Sequence, residues 1–139
     1  MIHTPITADL PIAEAARLMM AEQLAIVYEN LPALQQNADV LAVHETRKAI
    51  RRTFTLFKLF APTFAPAALE PHRRTLRRLM RRLAPCRDLA VFRQKLAAYN
   101  ETAELPLLGL AQHVEDRQAK ADKRLRRYLE RPKVHRRLQ

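Results

Sequence analysis

The sequence predicts an all-α fold: an antiparallel bundle of four to five helices within one domain of 139 residues. Three observations predict it. The chain holds a single Gly and is rich in Ala, Leu and Arg, residues that lose little freedom in a helix. Apolar residues recur at helical spacing and seldom alternate with the period of two that a half-buried strand needs. Prolines stand where the periodic segments stop.

The first helix is expected over about Ile12 to Glu29, with Ala15, Ala16, Met19, Leu24 and Val27 apolar. Asn30, Leu31 and Pro32 should end it, because proline disfavours helix at the preceding residue. Asn37 or Asp39 can cap a second helix that runs through Phe60 to Ala61-Pro62. After a turn-rich link over 62–66, a third helix is expected from Ala67 or Pro71 to Ala84. Pro85 should interrupt it, leaving a fourth segment from Arg87 to Tyr99 and a loop from Asn100 to Pro106. The fifth helix is expected over Leu107 to Glu130, followed by a basic tail.

Charge narrows the function. The chain carries +11, with a pI near 10.8, a balance that attracts anionic partners. One cysteine, Cys86, excludes an internal disulfide and gives no zinc pattern. The N-terminal stretch lacks a basic segment followed by an apolar one, so no secretory signal is expected. No apolar run approaches membrane-spanning length. A soluble protein of the reducing cytoplasm is the expected setting.

The excess charge is concentrated. Between His44 and Arg87, twelve Lys and Arg face only Glu45 and Glu70, so this stretch holds +10 of the total. At 100° per residue the second helix separates into two faces. His44, Arg47, Lys48, Arg51, Arg52, Thr55 and Lys58 share one arc, about 21 Å long. Val43, Ile50, Phe54 and Phe57 centre on the other, with Ala42, Ala49, Leu56 and Phe60 beside them. The third helix has a narrow apolar stripe of Leu69, Leu76, Leu79, Met80 and Leu83, with His72 at its edge. Arginines fill the remainder in two ladders, Arg73/Arg77/Arg81 and Arg74/Arg78/Arg82. Like charges at i, i+4 cost an isolated helix roughly 0.2–0.5 kcal/mol per pair, and a bound polyanion would offset that. A solvated face normally mixes signs, as the fifth helix does with Glu115, Asp116, Arg117, Lys120, Asp122, Lys123 and Arg124.

Candidate phosphate-contacting residues are therefore His44, Arg47, Lys48, Arg51, Arg52, Lys58, Arg74, Arg77, Arg78, Arg81, Arg82 and Arg87. Arginine's planar fork suits bidentate contact with phosphate oxygens. No aromatic platform or Asn/Gln base reader lies among them, which favours a base-free phosphate polymer over nucleic acid. Nonspecific nucleic-acid binding is the alternative, and a bundle that accepts a phosphoryl group on His44 is the third. No catalytic, cofactor or metal site is expected: the remaining histidines, His3, His72, His113 and His135, share no ligand spacing, and no carboxylate cluster could activate water. Asp88 should cap the segment after Pro85 or orient an arginine. Cys86, placed near a helix start beside Arg87, could have a lowered pKa. Arg131, Lys133, Arg136 and Arg137 either extend the basic surface or form only a basic terminus.

Two stretches carry a family resemblance. Val43-His44-Glu45-Thr46-Arg47-Lys48-Ala49-Ile50-Arg51-Arg52 matches V-H-x-x-R-x-x-x-R-R. The stretch from Leu76 to Val91, which includes Leu83, Arg87, Asp88 and Leu89, is similar to L-K-x-L-x-x-x-L-G-x-x-R-D-L-x-V. Together they resemble the CHAD family (conserved histidine α-helical domain). The resemblance implies an all-helical fold, polyphosphate binding and association with polyphosphate granules. It also implies that His44, Arg47, Arg51, Arg52, Arg77, Arg81, Arg87 and Asp88 correspond to the family's motif positions. Ala84 stands where the family commonly has glycine, which implies a different helix end before Pro85. The family domain has two four-helix halves about a pseudo-twofold, and this chain resembles only the first. The resemblance therefore implies that two copies could pair to restore a basic channel.

Overall fold

In the computed structural model, which describes residues 5–131, the chain folds into four α-helices with no strand among those residues. They are α1 (Ile12–Asn37), α2 (Val40–Leu59), α3 (Pro66–Thr102) and α4 (Leu108–Leu129), with a short 3-10 turn at Ala61–Thr63. Each helix packs on the next and α4 closes back onto α1, so short links join antiparallel neighbours around one core. The basic tail after Arg131, with Lys133, His135, Arg136 and Arg137, lies outside the described residues, as does His3.

Two expected breaks are absent. Pro32 lies inside α1, and Pro71 and Pro85 lie inside α3. The predicted third and fourth segments are therefore one helix of 37 residues. An interior proline costs about 3 kcal/mol by removing one backbone hydrogen bond and crowding the preceding turn. Burying a leucine returns about 1.5–3 kcal/mol. Leu31 and Leu34 flank Pro32 in the core, and Leu83 and Cys86 flank Pro85. Both proline rings are exposed, on the side of the helix where water can reach the freed carbonyl. Ala84 works in the same direction, since Ala in place of Gly favours a continuous helix by about 1 kcal/mol.

The true end of α1 is set by Ala38, which adopts φ 50°. Its N–H donates to the carbonyl of Leu34 (3.2 Å), and that of Asp39 to Ala33 (3.5 Å). Asp39 then caps α2, accepting from the amides of Leu41 (2.8 Å) and Ala42 (3.3 Å). Reversal is thus completed in two residues. At the other end, Asn100 Oδ1 accepts from the Leu107 amide (2.9 Å) and ties off the turn between α3 and α4.

The core stripe of α2 is Ala42, Val43, Thr46, Ala49, Ile50, Thr53 and Phe57. Val43, Ile50 and Phe57 lie where the periodicity puts them. Phe54 is only half-buried, in a tilted pair with Phe57 (6.5 Å between centroids), and two threonines complete the stripe instead. Thr53 satisfies its hydroxyl on the carbonyl of Ala49 (2.9 Å). On α3 the expected Leu69, Leu76, Leu79 and Leu83 are buried, joined by Thr75, Cys86 and Leu96; Met80 is half-buried and His72 exposed. Val114, Gln118, Ala121, Leu125, Tyr128 and Leu129 face inward from α4.

Candidate functional site

With their apolar stripes turned inward, α2 and α3 present their cations where the two helices meet. Arg47 lies deepest, its side chain 14% exposed. Its Nη1 is 3.9 Å from Asp88 Oδ1, and Asp88 itself is 75% exposed, so the pair is long and loosely held. Arg47 Nε is buried with no hydrogen-bond partner. Burial pushes this guanidinium below the usual arginine value; the charges of Arg51 and Arg87 push the same way, and Asp88 opposes them. Arginine stays charged across the accessible pH range, so the cost is borne rather than titrated away. Three cations from two helices therefore converge on one place, with one weakly placed carboxylate among them.

Along the same edge, Arg73 of α3 reaches over the Phe57 ring of α2, 5.9 Å from its centroid, and pairs loosely with Glu70 (3.8 Å). Lys48 pairs with Glu45 one turn away (3.2 Å). No described carboxylate lies within 4.0 Å of the cationic atoms of Arg51, Arg52, Lys58, Arg74, Arg77, Arg78, Arg81 or Arg82, all of them exposed. His44 is half-buried beside Arg47 and Lys48 on the same arc.

The predicted residues do not all share one trough. Helical phase keeps Arg73, Arg77 and Arg87 on the α2 side of α3. The ladder Arg74/Arg78/Arg82 turns toward α4, and Arg82 stacks over Tyr128 of α4 at 5.7 Å. Arg81 and Arg82 line a cleft of about 450 Å³ with His113, Arg117, Lys120 and Arg124. Sequence reasoning took these α4 cations for a mixed, solvated surface. Their 4-3-4 spacing, His113–Arg117–Lys120–Arg124, was the signal that would have gathered them on one edge, across the helix from Glu115 and Asp122.

Two local expectations change with the uninterrupted α3. Asp88 is mid-helix, so it caps nothing, and its contact is with Arg47. Cys86 is also mid-helix and buried, its Sγ 3.4 Å from the carbonyl of Arg82. Burial, reinforced by Asp122, pushes its thiol up to about 12, opposite to the lowering that a helix start would produce. Among the described residues no three His, Cys, Asp or Glu side chains gather as a metal site would require, and no helix is long and apolar enough to cross a membrane.

Phe92 and Tyr99, 46% and 54% exposed, lie farther along α3 on the helical phase of Arg74 and Arg81, whereas the rings directly beneath arginines are buried. Phe57 is 2% and Tyr128 7% exposed, so each supports an arginine from below and offers no face on which a base could stack.

No curated protein and no solved structure matches this chain. The family model of the CHAD domain matches it over residues 18–139, taking in all of α2, α3 and α4 and most of α1. With the motif residues gathered on α2 and α3 as described, the chain belongs to the CHAD domain family.

Proposed function

We propose that this chain binds inorganic polyphosphate, without catalysis, along the edge where α2 and α3 meet. The observation that carries the reading is Arg47: a largely buried guanidinium, with Nε unpartnered, between Arg51 and Arg87. Free, this arrangement is costly. A row of phosphate oxygens laid against it would neutralise the repulsion and accept from the part of the guanidinium that stays exposed. His44, Lys48, Arg52 and Lys58 extend the contact along α2, and Arg77 extends it along α3, with the outer arginines Arg74, Arg78, Arg81 and Arg82 able to hold a polymer that wraps the helix. Family membership supports phosphate polymer as the anion. Leu41 and Leu59, 67% and 65% exposed at the two ends of α2, offer apolar surface to a second copy that would wall the opposite side.

The test is titration of the whole chain with long-chain polyphosphate. Arg51→Glu with Arg77→Glu should weaken binding on the order of a hundredfold, as two charge-assisted contacts become repulsions, with helicity by circular dichroism unchanged. Affinity equal to that of the native chain would refute the assignment. Long polyphosphate should also displace RNA far more readily than RNA displaces it.

A further inference from the structure

The cleft between α3 and α4 is a second place where cations converge, sharing only Arg81 and Arg82 with the surface proposed for polyphosphate. In sequence α4 mixes its charges, but helical phase gathers four of its basic residues along one edge. His113, Arg117, Lys120 and Arg124 follow one edge and line the cleft opposite Arg81 and Arg82. Glu115 and Asp122 lie across the helix, and Asp116, one turn from Lys120, is not among the residues that line the cleft. Asp122 accepts from Gln118 Nε2 (2.8 Å), which also donates to the carbonyl of Cys86 (3.2 Å) on the far side of the helix contact. Asp116 accepts from Gln112 Nε2 (3.0 Å). Among the described residues no carboxylate lines the cleft. Its floor is apolar, formed by Pro85, Leu89 and Ala121, and Arg82 is held at one end by its stacking on Tyr128.

Five formal positive charges around a hollow of about 450 Å³ suit a small, highly charged anion. Guanidinium forks on both walls match phosphate oxygens, and an apolar floor suits a flat organic body better than a bare polymer. We propose that the α3–α4 cleft is a second anion site that takes a compact triphosphate group, either as the inorganic ion or as the phosphate tail of a nucleotide whose base lies on the Pro85–Leu89 floor.

The experiment is calorimetric titration of the full chain with inorganic triphosphate and, separately, with adenosine triphosphate. Arg117→Glu with Arg124→Glu, both at exposed positions, should lower affinity for the triphosphate group on the order of tenfold or more. Arg47→Ala with Arg51→Ala should leave it within a few-fold of native. Tighter binding of the nucleotide than of the inorganic ion supports the site with the floor occupied; equal binding supports it with the phosphates alone. The proposal is overturned if the native chain binds neither, if the α4 variant titrates like the native chain, or if the α2 variant loses triphosphate as severely. Long-polymer binding is read in parallel: its loss on α2 mutation, or its failure in the native chain, is visible independently of the triphosphate result.

Discussion

The two edges of α3 make opposite uses of the same residue type. On the α2 side, Arg47 is drawn inward among like charges, Arg73 lies over Phe57, and among the described residues a distant Asp88 supplies the only carboxylate paired with Arg47. On the α4 side, arginines stand around an open hollow with an apolar floor and, among the described residues, no acid in its wall. The first is an extended rail and the second a cup. Charge counted along the chain finds only the first, because α2 and the arginine ladders are nearly free of acids whereas α4 alternates. Only the phase of α4 reveals that its cations share one edge while Glu115 and Asp122 lie across the helix. A mixed sequence is therefore no guarantee of a neutral surface.

Leu83 offers the largest perturbation of that contrast, because it lies wholly in the core behind both edges. Leu83→Ala should cost about 2–5 kcal/mol in denaturant unfolding and weaken both anion sites together. If one site kept full affinity while stability fell this far, the two would not share α3 as their support. A smaller and one-sided effect is expected at Arg47. Arg47→Met removes a poorly solvated charge and keeps the packing, so the free protein should gain about 1 kcal/mol by the same measurement while polyphosphate binding weakens. A loss of stability would show instead that the Asp88 contact holds the fold together. The mildest probe is Cys86, which belongs to neither edge. With its thiol raised to about 12 from an ordinary value of 9.0, the folded protein favours the neutral form. That contribution is present in full below pH 9.0 and is lost as pH rises toward 12. A disulfide reagent at pH 8 should accordingly label Cys86 only as fast as the protein opens, and rapid labelling of the native chain would place the thiol outside the core.

Much of this was legible in the sequence, for identifiable reasons. Val43, Ile50 and Phe57 on α2 and Leu76, Leu79 and Leu83 on α3 repeat at the helical period, so the buried faces, and with them the outward arginines, follow from spacing alone. Helix ends governed by proline were misread. The local rule for Pro32 and Pro85 is outweighed by core residues on both sides, Leu31 and Leu34 for the first and Leu83 and Cys86 for the second, which is a tertiary effect that no local window contains. The end of α1 at Ala38 was equally obscure, because a left-handed residue there is ordinarily glycine. The cup between α3 and α4 was missed because two helices must be set side by side before His113, Arg117, Lys120 and Arg124 have anything to face. Thr46, buried with its hydroxyl unpartnered, has no sequence signal.

The passage of α3 through Pro85 without a break also sets a scale. From Arg73 to Arg87 the axis advances roughly 21 Å, as it does from His44 to Lys58 on α2, so the two rails are matched in length. An unbroken rod is a ruler. A flexible linear anion shorter than this span should bind more tightly with each unit added. Once it overhangs the last arginine, further units contribute only the statistical advantage of more binding registers, and the affinity should flatten.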